Sequence, residues 1–177
     1  MKVLVTGAGG FIGSKLCKKL ISEGYEVYGI IHNNPSEAEG IQIINADLTK
    51  NGFVIPDVKF DAVFHLAAAT PLVKDKKKQK RINYEGTVNL FEKIKDKTNF
   101  IIYASGLGVF GNPKGIVNEQ SLIQPNTDFV KIRLEAQKFL EDSCKNNNIG
   151  FSVCYFGDVY GNASWFTEMI VNRLKNG

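Results

Sequence analysis

The chain has 177 residues, 44% of them hydrophobic and 23% charged, which suits one soluble globular domain over residues 1–177. No apolar run approaches the roughly 20 residues that cross a bilayer, and the N-terminus lacks the layout of a secretory signal. Cys17, Cys144 and Cys154 lack metal-type spacing. We therefore expect reduced thiols, no metal site, no membrane association and a cytoplasmic location.

The net charge of +4 is concentrated in one short segment. Residues 74–81, Lys-Asp-Lys-Lys-Lys-Gln-Lys-Arg, carry a net charge of +5, so the rest of the chain sums to −1. This distribution does not indicate general affinity for nucleic acid. A charge run of this kind is typical of a solvated helix entry, and the alternative is that it steers an anionic, for example phosphorylated, ligand.

The first predicted elements are a short strand, a glycine-rich turn and a helix. An apolar run at residues 3–5 is followed by Gly7, Gly10 and Gly13 in the spacing G-x-x-G-x-x-G, and an amphipathic helical pattern comes next. This order can hold the pyrophosphate of a dinucleotide, because glycines permit a tight turn and the helix N-terminus offers free N–H groups. We predict a phosphate-binding loop here.

The ends of the next two predicted strands bear on the choice of cofactor. Strand 26–31 leads into His32-Asn33-Asn34, where a site selective for NAD usually places an acid for the ribose 2′-hydroxyl. A protonated or hydrogen-bonding His32 would tolerate the 2′-phosphate of NADP better than an acid would, and a solvated loop histidine is the alternative. The prediction is NAD or NADP, with a slight preference for NADP. Strand 41–44 leads to Asp47, which could accept from an adenine amino group or cap the next turn.

The remaining pattern alternates strands and helices. The fourth strand runs into small residues at 67–69, at the strand end where open α/β sheets bind ligands. Alternation of this kind predicts an α/β fold, a doubly wound parallel sheet of Rossmann type with about six strands and helices on both faces. The later elements are strands at 61–69, 99–104 and 150–156 and helices at 82–94, 128–145 and 165–174.

Several motifs together resemble one family. Thr6–Gly13 is similar to a TGxxGxxG cofactor loop, Asp47-Leu48 to an adenine-contacting pair and His65–Ala68 to a segment beside the inner ribose, with Asn83 and 159–161 as further matches. These features resemble extended short-chain dehydrogenases/reductases, specifically the NAD(P)-dependent epimerase/dehydratase group. The cofactor contacts that follow are Gly7, Gly10, Phe11, Ile12, Gly13, His32, Asp47, Leu48, Leu66, Ala67, Ala68, Tyr103, Arg133 and Tyr155.

The chain departs from this family at its catalytic pair, Tyr-x-x-x-Lys. The matching helix places Phe129 at the Tyr position and Arg133 at the Lys position, and no Tyr-x-x-x-Lys occurs anywhere in the chain. The catalytic Ser position holds Gly106, with Ser105 one residue away. Phe has no ionisable proton and Arg stays charged, so the family's proton transfer is unsupported.

The catalytic candidates are therefore Ser105 and Arg133, with Tyr155 or Asp158 as substitute proton carriers after the sixth strand. Family members usually continue for about 100 or more residues into a substrate lobe, which is largely absent from this sequence. The resemblance implies hydride transfer on a nucleotide sugar or a similar hydroxyl or carbonyl compound, and a homodimer through helices near 82–95 and 128–145. The alternatives are a non-catalytic NAD(P)-binding sensor or assembly subunit, and a scaffold that binds no cofactor.

Overall fold

A computed structural model describes residues 1–36, 38–161 and 164–176, apart from the side chains of Trp165, Glu168 and Asn176. Within these residues the chain forms six strands and five α-helices. The strands are β1 (Lys2–Thr6), β2 (Glu26–Ile31), β3 (Gln42–Asn45), β4 (Ala62–His65), β5 (Phe100–Gly106) and β6 (Gly150–Phe156). The helices are α1 (Phe11–Ser22), α2 (Lys76–Lys80), α3 (Gly86–Ile94), α4 (Asp128–Asn146) and α5 (Trp165–Asn176).

The six strands form one parallel sheet in the order β3-β2-β1-β4-β5-β6. The chain moves outward from β1 through β2 to β3, then crosses to β4 on the other side of β1 and continues outward. Ligands of open α/β sheets bind beyond the carboxyl ends of the strands, where the winding reverses. The predicted doubly wound parallel sheet is confirmed.

Two hydrophobic cores lie on opposite faces of the sheet. On β1, Leu4 is buried in one core, and Val3 and Val5 are buried in the other, because successive strand residues point to opposite faces. The first core contains Leu90 of α3 and Leu140 of α4, and the second contains residues of α1. Helices therefore cover both faces, as the alternating sequence pattern predicted.

Two strand ends differ from the sequence-based expectation by more than one residue, namely the carboxyl ends of β4 and β5. The fourth strand ends at His65 instead of continuing to residue 69, because the Thr6 hydroxyl oxygen accepts hydrogen bonds from Leu66 N at 3.1 Å and Ala67 N at 3.0 Å and draws the chain off the ladder. The fifth strand continues two residues beyond residue 104, because Gly106 still pairs with Phe156 of β6.

The helix predicted at 82–94 begins earlier, at Lys76, and the run from Lys76 to Ile94 consists of three consecutive helical segments. Asp75 caps α2 by accepting from the backbone N–H groups of Lys77 and Lys78, a π-helical turn follows at Arg81–Glu85, and α3 completes the run. A π-turn inserts one extra residue into a helix, and such turns occur frequently at functional sites. Here the turn places Asn83, whose side-chain oxygen accepts from Ala69 N at 2.8 Å.

Candidate functional site

An open cleft of about 480 Å³ lies beyond the carboxyl ends of β1 to β4. The glycine turn forms one wall, the residues after β2 and β3 form the end, and the segment after β4 forms the opposite wall with part of α2. Eight of the predicted cofactor contacts line it, namely Gly7, Gly10, His32, Asp47, Leu48, Leu66, Ala67 and Ala68.

The glycine turn has a backbone geometry that admits no side chains at two positions. A Cβ at Gly13 would lie well inside contact distance of the Gly7 carbonyl, and a Cβ at Gly9 would collide with the Asn34 carbonyl in the same way. Gly7 has a positive φ of 69°, which favours glycine. Gly10 caps α1 without a side-chain hydrogen bond, and the first turn carries no acid. The first N–H groups of α1 are therefore suited to receive a phosphate.

At the end of the cleft, Asp47 lies between a histidine and a lysine. Its Oδ1 accepts from Thr49 N at 3.0 Å and from Thr49 Oγ1 at 2.7 Å, and the hydroxyl contact contributes most to holding the pKa of the carboxyl below its usual value. Its Oδ2 lies 3.9 Å from His32 Nε2 and 3.8 Å from Lys50 Nζ. The turn-capping alternative for Asp47 is thus realised in the structure.

The wall formed by Leu66 and Ala67 is held by a buried chain of hydrogen bonds through His65. Thr87 Oγ1 donates to the Asn83 carbonyl, so it accepts from His65 Nε2 at 2.8 Å. His65 Nδ1 then accepts from Thr6 Oγ1 at 2.7 Å, and this assignment follows from the hydrogen-bond network. Burial, with a smaller contribution from Arg133, lowers the pKa of His65 to about 3. His65 is therefore a neutral residue that positions the cleft wall.

Arg133 and Tyr103 bind each other, away from the residues that line the cleft. The Arg133 guanidinium donates to the Ala104 carbonyl and lies 4.8 Å from the centre of the Tyr103 ring. The Tyr103 hydroxyl donates to the Arg133 carbonyl at 3.2 Å, and its ring is fully buried. That Tyr103 contacts a cofactor stays a prediction; in the structure its ring belongs to the core and its hydroxyl is bonded to α4.

The predicted catalytic positions present little proton chemistry. Ser105 is buried, and its hydroxyl has no hydrogen-bond partner among the described residues. Phe129 is half-buried at the start of α4, and Arg133 stays charged. A Cβ at Gly106 would meet only the Phe156 carbonyl oxygen, at 3.6 Å, so this position has room for a side chain.

The other predicted contacts also lie outside the residues that line this cleft. Tyr155 accepts from Gln137 Nε2 at 2.9 Å and packs against the ring of Phe110. Gly13 is buried in α1 beneath the glycine turn, with Phe11 and Ile12 at the helix start, and Asp158 is exposed beyond β6. The lining of the cleft at β1 to β4 thus does not include the positions on β5 and α4 that match the family's catalytic residues.

Sequence reasoning missed several residues that line the cleft. The most consequential are Lys78 and Arg81, because they bring positive charge to a cleft with one described acid, Asp47. Helical spacing could have identified them, since positions three apart share a helix face. The other missed polar or glycine positions are Gly9, Asn33, Asn34 and Thr49.

The residues present fit a dinucleotide. The glycine turn allows close backbone approach, the N-terminus of α1 offers unbonded N–H groups, and the alanines at 67–69 let a ligand lie against the chain. A profile of the NAD dependent epimerase/dehydratase family matches residues 3–176. The chain belongs to this family.

Relatives agree with this assignment. UDP-glucose 4-epimerase of Mycolicibacterium smegmatis is 28% identical in an alignment of 160 positions that covers 79% of this chain and 50% of the relative. The crystal structure of UDP-glucuronic acid 4-epimerase from Bacillus cereus in complex with NAD has a TM-score of 0.76 at 32% identity, over 91% of this chain and 57% of that one. The chain spans about half the length of the curated relatives that it matches.

A further structure of the Bacillus cereus enzyme is a tyrosine-to-phenylalanine mutant in complex with UDP-4-deoxy-4-fluoro-glucuronic acid and NAD. It is 30% identical to this chain, with a TM-score of 0.79 over 99% of this chain and 64% of that one.

Within the described residues of the present chain, no helix is long and apolar enough to cross a membrane. The same residues contain no group of three or more His, Cys, Asp or Glu side chains able to hold a metal ion.

Proposed function

We propose that this chain is a nicotinamide-dinucleotide-binding domain that belongs to a protein acting on a nucleotide sugar or a similar hydroxyl or carbonyl compound. The observation that carries the proposal is the glycine turn, where a Cβ at Gly9 or Gly13 would strike backbone atoms. Backbone approach of this kind serves a pyrophosphate above the N-terminus of α1. When bound, a nicotinamide accepts or returns a hydride.

The cofactor-binding test is a thermal shift of the chain with NAD, with NADP and with neither, because a ligand of the folded state raises its apparent stability. At a concentration 100 times the dissociation constant, either cofactor would stabilise the fold by about 2.7 kcal/mol. We expect a shift with at least one of them. An unchanged melting temperature with both at millimolar concentration would contradict the proposal.

A second candidate function, a non-catalytic NAD(P)-binding sensor or assembly subunit, is favoured by the β5 and α4 positions. Gly106 and Phe129 have no proton to transfer, and the Arg133 guanidinium is bonded to Ala104. The tyrosine-to-phenylalanine mutant of the Bacillus cereus relative still binds NAD and UDP-4-deoxy-4-fluoro-glucuronic acid. This supports the view that a protein of this kind can carry phenylalanine in place of a tyrosine and keep both ligands.

Hydride exchange across a panel of nucleotide sugars and simple carbonyl compounds separates the two candidates. Turnover that falls in Ser105→Ala and Arg133→Ala variants would support catalysis through these residues. Turnover that is equal in both variants and the native chain would exclude them, and tight cofactor binding without any hydride exchange would support the sensor role.

Further parts of the proposal concern the cofactor and the assembly. NADP is slightly preferred over NAD, since His32, Asn33 and Asn34 place no carboxylate after β2. A homodimer through α3 and α4 is proposed from the family resemblance. A cytoplasmic location is proposed from three free cysteines, and burial raises the pKa of the Cys17 and Cys144 thiols to about 11.

A further inference from the structure

The cations of segment 74–81 divide between two faces of α2. Lys76 Nζ lies 2.6 Å from Asp128 Oδ2, and Lys80 Nζ lies 3.6 Å from Glu135 Oε1, so this pair fixes α2 to α4. Lys78 and Arg81 line the cleft instead. The division follows helical spacing, because residues 76 and 80 are four apart and residues 78 and 81 are three apart.

The two cleft cations have no acidic partner within ion-pair distance in the part of the chain that the structure describes. Asp47 is the one acid among the described residues that line the cleft, and its carboxylate already lies near His32 and Lys50. The cleft therefore presents positive charge that the described side chains around it do not neutralise. An anionic ligand would neutralise it.

The segment that carries these cations is anchored at several points. Buried Gln79 donates from Nε2 to the Val73 carbonyl at 2.5 Å, and Asn83 Oδ1 accepts from Ala69 N at 2.8 Å. Arg81 is the first residue of the π-turn that orients Asn83. The backbone at residues 78 and 81 is thus positioned before a ligand arrives, which reduces the entropy lost on binding.

We propose that Lys78 and Arg81 bind the 2′-phosphate of NADP. This inference rests on the proposed dinucleotide function and names the two residues behind the proposed preference for NADP. The glycine turn and α1 already serve the pyrophosphate, so a second cationic site calls for another phosphate. In the adenosine half of NADP that group is the 2′-phosphate, and residues 32–34, which follow β2 in the described cleft lining, carry no carboxylate to repel it.

The test uses pairs of ligands that differ by one phosphate. Titration calorimetry with 5′-AMP and with 2′,5′-ADP isolates the 2′-phosphate, and NAD with NADP repeats the comparison on whole cofactors. We expect the native chain to bind 2′,5′-ADP at least about tenfold more tightly than 5′-AMP, because hydrogen bonds to charged groups contribute roughly 1.5–3 kcal/mol. The preference should weaken at high salt, since the cations are exposed.

A Lys78→Gln/Arg81→Gln variant should lose this preference while its affinity for 5′-AMP stays within about twofold of native. The matched control is Lys74→Gln/Lys77→Gln, which removes the same charge from exposed positions outside the cleft lining and should keep the preference. UDP is titrated into the same proteins, because the phosphates of a nucleotide-sugar substrate are the other group that Lys78 and Arg81 could bind.

Equal affinity of the native chain for 5′-AMP and 2′,5′-ADP would overturn the phosphate assignment and leave dinucleotide binding intact. A loss of UDP binding alone in the Lys78→Gln/Arg81→Gln variant would also overturn it, and would assign the cations to a substrate phosphate. Absence of binding for all five ligands would overturn both this inference and the proposed function. If the control variant also loses its preference for 2′,5′-ADP over 5′-AMP, the preference depends on the total charge of the segment and not on Lys78 and Arg81. That result would contradict the assignment.

Discussion

The two ends of the sheet's carboxyl edge differ in what holds them in place. At the β1–α1 end the essential feature is backbone geometry, because side chains at Gly9 and Gly13 would strike carbonyl groups. At the β5–α4 end the family's chemistry depends on side chains, and the structure has room at Gly106 and a half-buried Phe129. We therefore expect substitution at the first end to disrupt the fold and substitution at the second end to be tolerated. Binding and catalysis can therefore be lost separately.

The strongest way to break this comparison is a Gly13→Ala variant. Its Cβ would meet the Gly7 carbonyl, and the backbone would have to shift, so we expect a loss of about 3 kcal/mol in the free energy of unfolding. The displaced turn should also lose cofactor binding. Urea denaturation and calorimetry with NAD and NADP measure the two effects.

Gly52→Ala is the matched control for that variant. A Cβ there has no atom within 4 Å and the residue has no positive φ, so stability and binding should both remain close to native. If Gly13→Ala unfolds at the same urea concentration as Gly52→Ala, the close contact between residue 13 and the Gly7 carbonyl does not require glycine.

The opposite end is tested by a Gly106→Ser/Phe129→Tyr/Arg133→Lys variant, which introduces the family's Ser, Tyr and Lys. The new Cβ at position 106 meets only an ordinary contact at 3.6 Å, so the fold should tolerate it. General acid–base catalysis contributes typically 10²–10⁴-fold, and we expect a gain of about 10²-fold in hydride exchange with a nucleotide sugar. Absorbance of the reduced nicotinamide at about 340 nm measures it.

The Phe129→Tyr single variant is the control for that triple variant. It supplies the phenol without the lysine that lowers its pKa, so its gain should be smaller. Equal rates of hydride exchange in the native chain and the triple variant, including no turnover in either, would contradict this prediction. They would show that the absence of the family's Ser, Tyr and Lys does not limit hydride exchange at the β5–α4 end.

The pH dependence of stability tests the hydrogen-bonded wall between the two ends. The pKa of His65 is about 3 in the folded state and about 6.5 unfolded, so the unfolded chain binds the extra proton between these values. Stability is fully present above pH 6.5 and falls by up to about 1.4 kcal/mol per pH unit as pH decreases towards 3.

A His65→Gln variant keeps an amide donor and acceptor but cannot titrate in this range. Its free energy of unfolding between pH 6.5 and 5 should vary less steeply than that of the native chain, by thermal or urea denaturation at each pH. This window lies above the carboxyl pKa values, which limits their contribution. Identical slopes for the two proteins would mean that His65 is not neutral and buried as described.

The smallest expected effect concerns Arg133→Lys. Lysine cannot form the planar contact over Tyr103 while also reaching the Ala104 carbonyl, so we expect a loss of about 1 kcal/mol in stability. Thermal denaturation measures it, with Lys131→Gln as the control because that side chain is exposed on the same helix. A loss no larger than in the control would indicate that Arg133 is free to serve a ligand.

The fold could be predicted from the sequence because its local patterns all indicate the same structure. The glycine spacing after β1 and the alternation of strands and helices identify the parallel sheet and the family. The boundary of β4 was not readable, since Thr6 draws residues 66 and 67 off the ladder from 60 positions away. Contacts this distant leave no trace in a local pattern.

The candidate site was only partly readable for a similar reason. The residues after β2 and β3 were found because strand ends are identified by position. The contacts of the Tyr103 side chain could not be predicted from the sequence, because its burial and its bond to Arg133 depend on packing between β5 and α4. The basic segment was considered as one charge run, although helical spacing separates Lys78 and Arg81 from Lys76 and Lys80.

The extra residue in the π-turn at Arg81–Glu85 sets the rotation of α2 relative to α3. Each residue of a helix turns the chain by about 100°, so deletion of one residue from this turn would restore an ordinary helix and rotate α2 by that angle relative to α3. The rotation would carry Lys78 and Arg81 out of the cleft and separate Lys76 from Asp128. The charge that the cleft presents is therefore set by the length of the segment as well as by its composition.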